Sequence, residues 1–248
     1  MLTRLHQWSQ HVWARLPAVL PSSCALCGMS GAHAICNACR ARYFQRRPQS
    51  CCQCAMPLAI ESAVALRCGA CLHQPPAFDA TFAAVDYEAP VDQLVLALKF
   101  GSRLALAPTF ARLMRDSLLL TAPQPALPGI LLPVPLGAAR LSQRGFNQAL
   151  EIARPLSRTL GIKLEPRLAL RQRDTSAQAT LHPEQRRKNI RNAFMISHEY
   201  VDRLHGQHVG VVDDVMTTGE TLNELAATLK RFGAARVTNF VFARTLLK

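Results

Sequence analysis

The sequence contains no apolar run near the roughly 20 residues that a membrane span requires. The densest stretch, 130–136, is short and holds Pro133 and Pro135. It also lacks a signal-peptide pattern. The first sixteen residues set Leu2, Leu5, Trp8, Val12, Trp13 and Leu16 at helical spacing among Arg4, His6, Gln7, Gln10 and Arg15. That reads as an amphipathic helix over 1–20, without a continuous apolar core or a small-residue cleavage site. A cytoplasmic protein with no membrane insertion is expected. The G-x-x-x-x-G-K-[ST] loop of ATP binders and the G-x-G-x-x-G of dinucleotide folds are both absent. Neither an internal repeat beyond the cysteine pairs nor a low-complexity tract occurs.

Acidic residues are scarce. The 248-residue chain has 16 Asp+Glu against 29 Lys+Arg, a net charge of +13. Hydrophobic residues make up 49 %, which excludes a disordered chain. The positive excess is uneven: residues 136–194 hold twelve Lys/Arg and four Asp/Glu, or +8. A basic field of that size favours polyanions, either nucleic acid or a phosphate-rich small ligand. An unspecific basic surface is the alternative.

Cysteine is abundant, and its placement is informative. All nine lie between 24 and 71, and eight form C-x-x-C pairs: Cys24/Cys27, Cys36/Cys39, Cys51/Cys54 and Cys68/Cys71. Two thiolates from one tight turn can share a metal ion, with a second turn completing a tetrahedron. Zinc is the first choice because soft thiolates suit it, an iron–sulfur cluster the minority one. Disulfides are disfavoured in a reducing compartment. Sequential pairing gives one zinc on Cys24, Cys27, Cys36 and Cys39 and a second on Cys51, Cys54, Cys68 and Cys71. Crossed ligation and Cys52 in place of Cys51 stay open. Four cysteine ligands leave no position for water, so the module, expected over 21–75, is structural or a docking surface.

Pro75-Pro76 marks a boundary. Beyond it, strand-like and helix-like segments alternate. Strands are expected at 80–85, 130–134, 208–212 and 237–243, and helices after 91, over 103–120, 148–160 and 222–229. The stretch after 134 reads as a polar loop. This order gives an α/β fold with a parallel sheet over 78–248.

The strand 208–212 ends in Asp213-Asp214 and leads through Val215 and Met216 to the turn Thr217-Thr218-Gly219-Glu220-Thr221. A parallel strand delivers such a turn to the carboxyl edge of the sheet, where ligands bind. Unpaired N–H groups and the dipole at the following helix N-terminus favour an anion. The threonine hydroxyls suit a phosphate monoester. Two carboxylates beside it fit sugar hydroxyls, and they can help position a ligand-held Mg²⁺. The pattern describes a ribose 5-phosphate. Lys99 reads as a complement to its own helix C-terminus, outside the site.

The run 211–221, with apolar residues, two acids and T-T-G-x-T, resembles the signature of type I phosphoribosyltransferases. The segment 140–148, the multi-cysteine module and the stretch from Arg173 through Gln178 to Arg186-Arg187-Lys188-Asn189 resemble the ComF family of competence-associated proteins. That resemblance implies binding of phosphoribosyl pyrophosphate (PRPP) with Mg²⁺, at Asp213, Asp214, Val215, Met216, Thr217, Thr218, Gly219, Glu220 and Thr221. It further implies a pyrophosphate loop over 135–140 with Arg140 and Arg144 as cations, a hood over 171–194, and a link to DNA uptake and single-stranded DNA. Three functions follow: a phosphoribosyltransferase, a nucleic-acid-binding adaptor, or a PRPP-sensing regulator.

Overall fold

The computed structural model describes residues 22–45, 47–59, 66–121, 126–172 and 192–246. The expected N-terminal amphipathic helix and most of the hood, including Arg173, Gln178 and 186–189, lie outside them. The chain divides into two compact units, 1–45 and 46–248.

In the first unit, β1 (Ser22–Ser23) and β2 (Ser30–Gly31) form an antiparallel hairpin. The helix Asn37–Tyr43 follows. Its N-cap is Cys36, whose sulfur accepts from the Cys39 N–H at 3.5 Å.

The second unit contains β3 (Ala80–Asp86), β4 (Ile130–Pro133), β5 (Lys163–Leu164), β6 (Ala169–Arg171), β7 (Phe194–Ile196), β8 (His208–Met216) and β9 (Arg236–Arg244). Five of them make one parallel sheet in the order β3-β9-β8-β4-β5. A sheet covered on both faces needs strands that are apolar on both sides. The central strands comply: Val209, Val211, Val212, Val237, Phe240, Val241, Phe242 and Ala243 are all buried. Gly210 is required by close approach, because a Cβ there would come within 2.4 Å of a Leu131 methyl and 2.7 Å of Pro128. The helices are Val91–Lys99, Ala107–Thr121, Ala138–Arg144, Gln148–Leu160 and Glu220–Arg231, with short Gly69–His73 and Val201–Leu204. Asn147 caps the helix Gln148–Leu160 through the N–H groups of Ala149 and Leu150, and Gly161 ends it at φ 69°. The strands β6 and β7 pair antiparallel outside the main sheet.

Two local expectations need correction. The strand 208–212 runs on to Met216, because β9 continues to pair with it through Met216↔Arg244. Both aspartates therefore sit within the strand. The polar loop after 134 holds the helix Ala138–Arg144. Ala, Arg, Leu and Gln are good helix formers, and Gly145 at φ 78° supplies the stop. The division at 45–46 falls within the cysteine-rich stretch. Cys51, Cys54 and Cys71 belong to one apolar cluster with Phe78, Met216 and Leu222. The turn around them is tied to the sheet edge by Thr81 N–H to Cys52 C=O (3.2 Å), the Gln53 amide to Phe78 C=O (3.0 Å) and Arg47 to Ala55 C=O (3.0 Å).

Candidate functional site

At the carboxyl end of β8 a cleft of about 290 Å³ opens. All of residues 213–221 line it, together with Arg140. Gly219 stands at φ 87° as N-cap of the helix Glu220–Arg231, a left-handed conformation that favours glycine. The 12-residue helix directs its first-turn N–H groups and positive dipole end at the cleft.

Neighbouring strand residues project to opposite faces, so the adjacent aspartates have different surroundings. Asp214 is buried and pairs with Lys99, Nζ to Oδ2 2.8 Å. Asp213 is half-buried and accepts the Asp214 N–H at 2.9 Å. Burial, and next the charge of Asp214, push the Asp213 carboxyl well above the ordinary carboxylate range, with Lys99 opposing. For Lys99, burial works to lower its pKa, but Asp214 holds it above the ordinary value. Lys99 thus lines the cleft and neutralises half of the acidic pair, against the expectation that it serves only its helix end. The missed signal was distance in sequence: 115 positions separate a lysine and an aspartate that the sheet brings together.

Arg140 and Arg144 occupy the same helix but play different parts. Arg140 lines the cleft. Arg144 donates to Gln148 Oε1 at 2.6 Å and lies over the Phe100 ring, 5.4 Å from its centroid. It reaches the cleft only through Gln148, which lines it. Tyr87 and Arg171 also line it and were not anticipated as named site residues.

The eight paired cysteines gather sequentially. The sulfurs of Cys24, Cys27, Cys36 and Cys39 all lie within 4.8 Å of one another, and so do those of Cys51, Cys54, Cys68 and Cys71. Each group is able to hold a metal ion. Cys52 stands outside both, and none of the nine forms a disulfide. Burial opposes ionisation of Cys24 and Cys51, but surrounding backbone N–H groups bring them down to about 6 and about 7. Burial foremost, with neighbouring sulfurs contributing, pushes Cys39 up to about 12 and Cys54 to about 11. Four thiolates cannot crowd together without a cation, which is the electrostatic condition of a metal site.

The sheet and the cleft at its carboxyl edge define a phosphoribosyltransferase-fold protein, and residues 147–246 match the family described as Phosphoribosyl transferase domain. DNA utilization protein YhgH of Salmonella typhimurium is 37 % identical over 232 residues, 92 % of this chain and 99 % of that protein. Competence protein F of Haemophilus influenzae is 35 % identical over 187 residues, 73 % of this chain and 79 % of that one. Among solved structures, a purine phosphoribosyltransferase from Pyrococcus horikoshii Ot3 overlaps 68 % of this chain and 89 % of that one, at 16 % identity and a TM-score of 0.29. The chain belongs to the ComF family.

The Lys99–Asp214 pair generates a prediction. Removing one partner of a buried pair leaves an uncompensated charge, at a cost of about 3 kcal/mol. Lys99→Met should lower stability by about that amount in chemical denaturation at pH 7, and Lys99→Met with Asp214→Asn should recover most of it. A single variant as stable as wild type contradicts the pairing.

Proposed function

We propose that the chain binds a phosphoribosyl compound, PRPP or ribose 5-phosphate, in the cleft at 213–221. The observation that carries the reading is the convergence, in one cleft, of a threonine-rich turn at a helix N-terminus, two strand aspartates and Arg140. The 5-phosphate takes the N–H groups and hydroxyls of 217–221. The ribose hydroxyls donate to Asp213, with Asp214 behind it held by Lys99. Arg140 faces the pyrophosphate side, where a guanidinium fork suits phosphate oxygens. Mg²⁺ entering with PRPP would be held mainly by the ligand, with Asp213 and Asp214 helping to position it, and would supply charge compensation for the pyrophosphate. In transfer, the bond from the ribose C1 to the pyrophosphate oxygen breaks as an acceptor bonds to C1, and the oxygen keeps the electron pair. The residues contribute positioning and charge, with no covalent nucleophile.

Ribose 5-phosphate titration calorimetry tests this. Asp213→Asn keeps the oxygen that accepts the Asp214 N–H, and should weaken binding about tenfold, the loss of one charge-assisted hydrogen bond. The same variant should melt no lower than wild type at pH 7. A raised carboxyl pKa means the folded chain holds this proton more tightly than the unfolded one. Ionised Asp213 therefore costs stability at neutral pH, and the cost disappears as pH falls below the ordinary carboxylate range. Unchanged affinity in the variant sinks the sugar assignment.

The cysteine groups are read as two structural zinc sites. Tetrahedral Zn–thiolate bonds of about 2.3 Å give sulfur–sulfur edges of about 3.8 Å. The Cys27–Cys36 and Cys54–Cys68 distances of 3.7 and 3.6 Å support that fit. Elemental analysis of purified protein should give about two zinc per chain; one or none removes a site.

DNA utilisation is the setting we infer, from the names of the YhgH and competence-protein relatives and the basic span 136–194. Single-stranded DNA is the second ligand. Its affinity should fall steeply with salt. Replacing Arg186, Arg187 and Lys188 with alanine should lower the salt slope by about one unit for each DNA phosphate that is no longer neutralised. Binding indifferent to salt would leave the small-ligand function alone.

A further inference from the structure

We propose that Arg244 is a positioning residue that fixes the phosphate turn against the second cysteine group, so that metal loading of that group sets the affinity of the cleft for its ligand. The inference rests on the phosphoribosyl reading above and adds a dependence that the fold family alone does not supply.

Arg244 closes β9 opposite Met216, the last residue of β8. It is only 2 % exposed, and a buried guanidinium is costly unless its donors are satisfied. Its Nε donates to the Cys54 carbonyl at 2.9 Å. Its Nη1 donates to the carbonyls of Met216 (3.0 Å), Thr217 and Thr245 (2.7 Å). One rigid fork therefore holds a residue of the second cysteine group at one end and, at the other, the last residue of β8 and the first residue of the phosphate turn. A planar guanidinium transmits position in a way a flexible ammonium does not.

Around this link the two parts share an apolar cluster that holds Cys51, Cys54, Cys71, Phe78, Met216 and Leu222. A cavity of about 390 Å³ lies between them, lined on one side by Cys54, Cys68 and Cys71 and on the other by Thr218 and Gly219. A second tie crosses the gap from Ala77 N–H to Asn223 Oδ1 at 2.6 Å, in the first turn of the phosphate helix. Because Arg244 bonds the Cys54 carbonyl and the Thr217 carbonyl at once, the place of the Cys54 carbonyl bears on where Arg244 holds the turn. That carbonyl belongs to a C-x-x-C turn whose Cys51 and Cys54 both join the four-sulfur group. A metal ion there would bond the turn to Cys68 and Cys71 through one centre, a constraint that the free thiols lack. The group Cys24, Cys27, Cys36 and Cys39 lies in the other compact unit and serves as an internal control.

The test compares wild type, Arg244→Gln, Cys68→Ser and Cys27→Ser in the full chain. For each, ribose 5-phosphate affinity is measured by calorimetry, metal content by elemental analysis, and thermal stability alongside. Arg244→Gln should keep wild-type metal content yet bind about tenfold more weakly, within the usual range of coupling between sites. Cys68→Ser should lose about one metal ion per chain, with a similar loss of affinity. Cys27→Ser should lose its metal with affinity unchanged. A residue that only stabilised the fold would lower the melting temperature and leave the affinity of folded protein alone, and that result overturns the proposal. So does wild-type affinity in Cys68→Ser, or an equal loss in Cys27→Ser. If Arg244→Gln does not fold, Arg244→Lys, which keeps the charge but not the fork, is read by the same criteria. Wild-type protein that gives no binding signal overturns the ligand reading itself, and is thereby distinguished from failure of the coupling.

Discussion

The parallel register between β8 and β9 is the constraint on which the site depends. Pairing through Asp213↔Val241 and Met216↔Arg244 carries both strands four residues past the apolar run that starts β8. It turns two aspartates into strand residues that both line the cleft, Asp214 buried and paired with Lys99, Asp213 half-buried. It also sets a buried arginine beside the point where the chain leaves the sheet for the turn 217–221. A slip of one residue would exchange the two faces of β8 and undo all three arrangements.

Charge is distributed across the site in a matching way. Lys99 neutralises Asp214, Arg140 lines the cleft, and the helix dipole supplies partial positive charge without a titrating group. The remaining acid, Asp213, is held under desolvation and like-charge pressure. A ligand with hydroxyl donors relieves that pressure, which is the physical reason a sugar suits the position.

Much of this was legible in the sequence, for identifiable reasons. Local patterns carried the alternating elements, Gly161 as a helix stop, and the turn 217–221 before its helix. Spacing carried the sequential grouping of the cysteines. What escaped was non-local. Lys99 matched a helix-end complement equally well, and only the sheet brings it to Asp214. Strand periodicity fades at two adjacent acids, so the extension of β8 to Met216 was visible only in its pairing with β9. Arg244 lies just past the strand expected over 237–243, and only the fold shows that it is buried and bonded to both Cys54 and Met216.

The central claim is that residues 213–221 hold a phosphoribosyl group. A crystal structure of the protein soaked with ribose 5-phosphate tests it most directly. The account predicts phosphate density on the N–H groups of 217–221, with ribose hydroxyls within hydrogen-bond reach of Asp213. Phosphate bound elsewhere, or an empty turn in protein shown by calorimetry to be saturated, would contradict it.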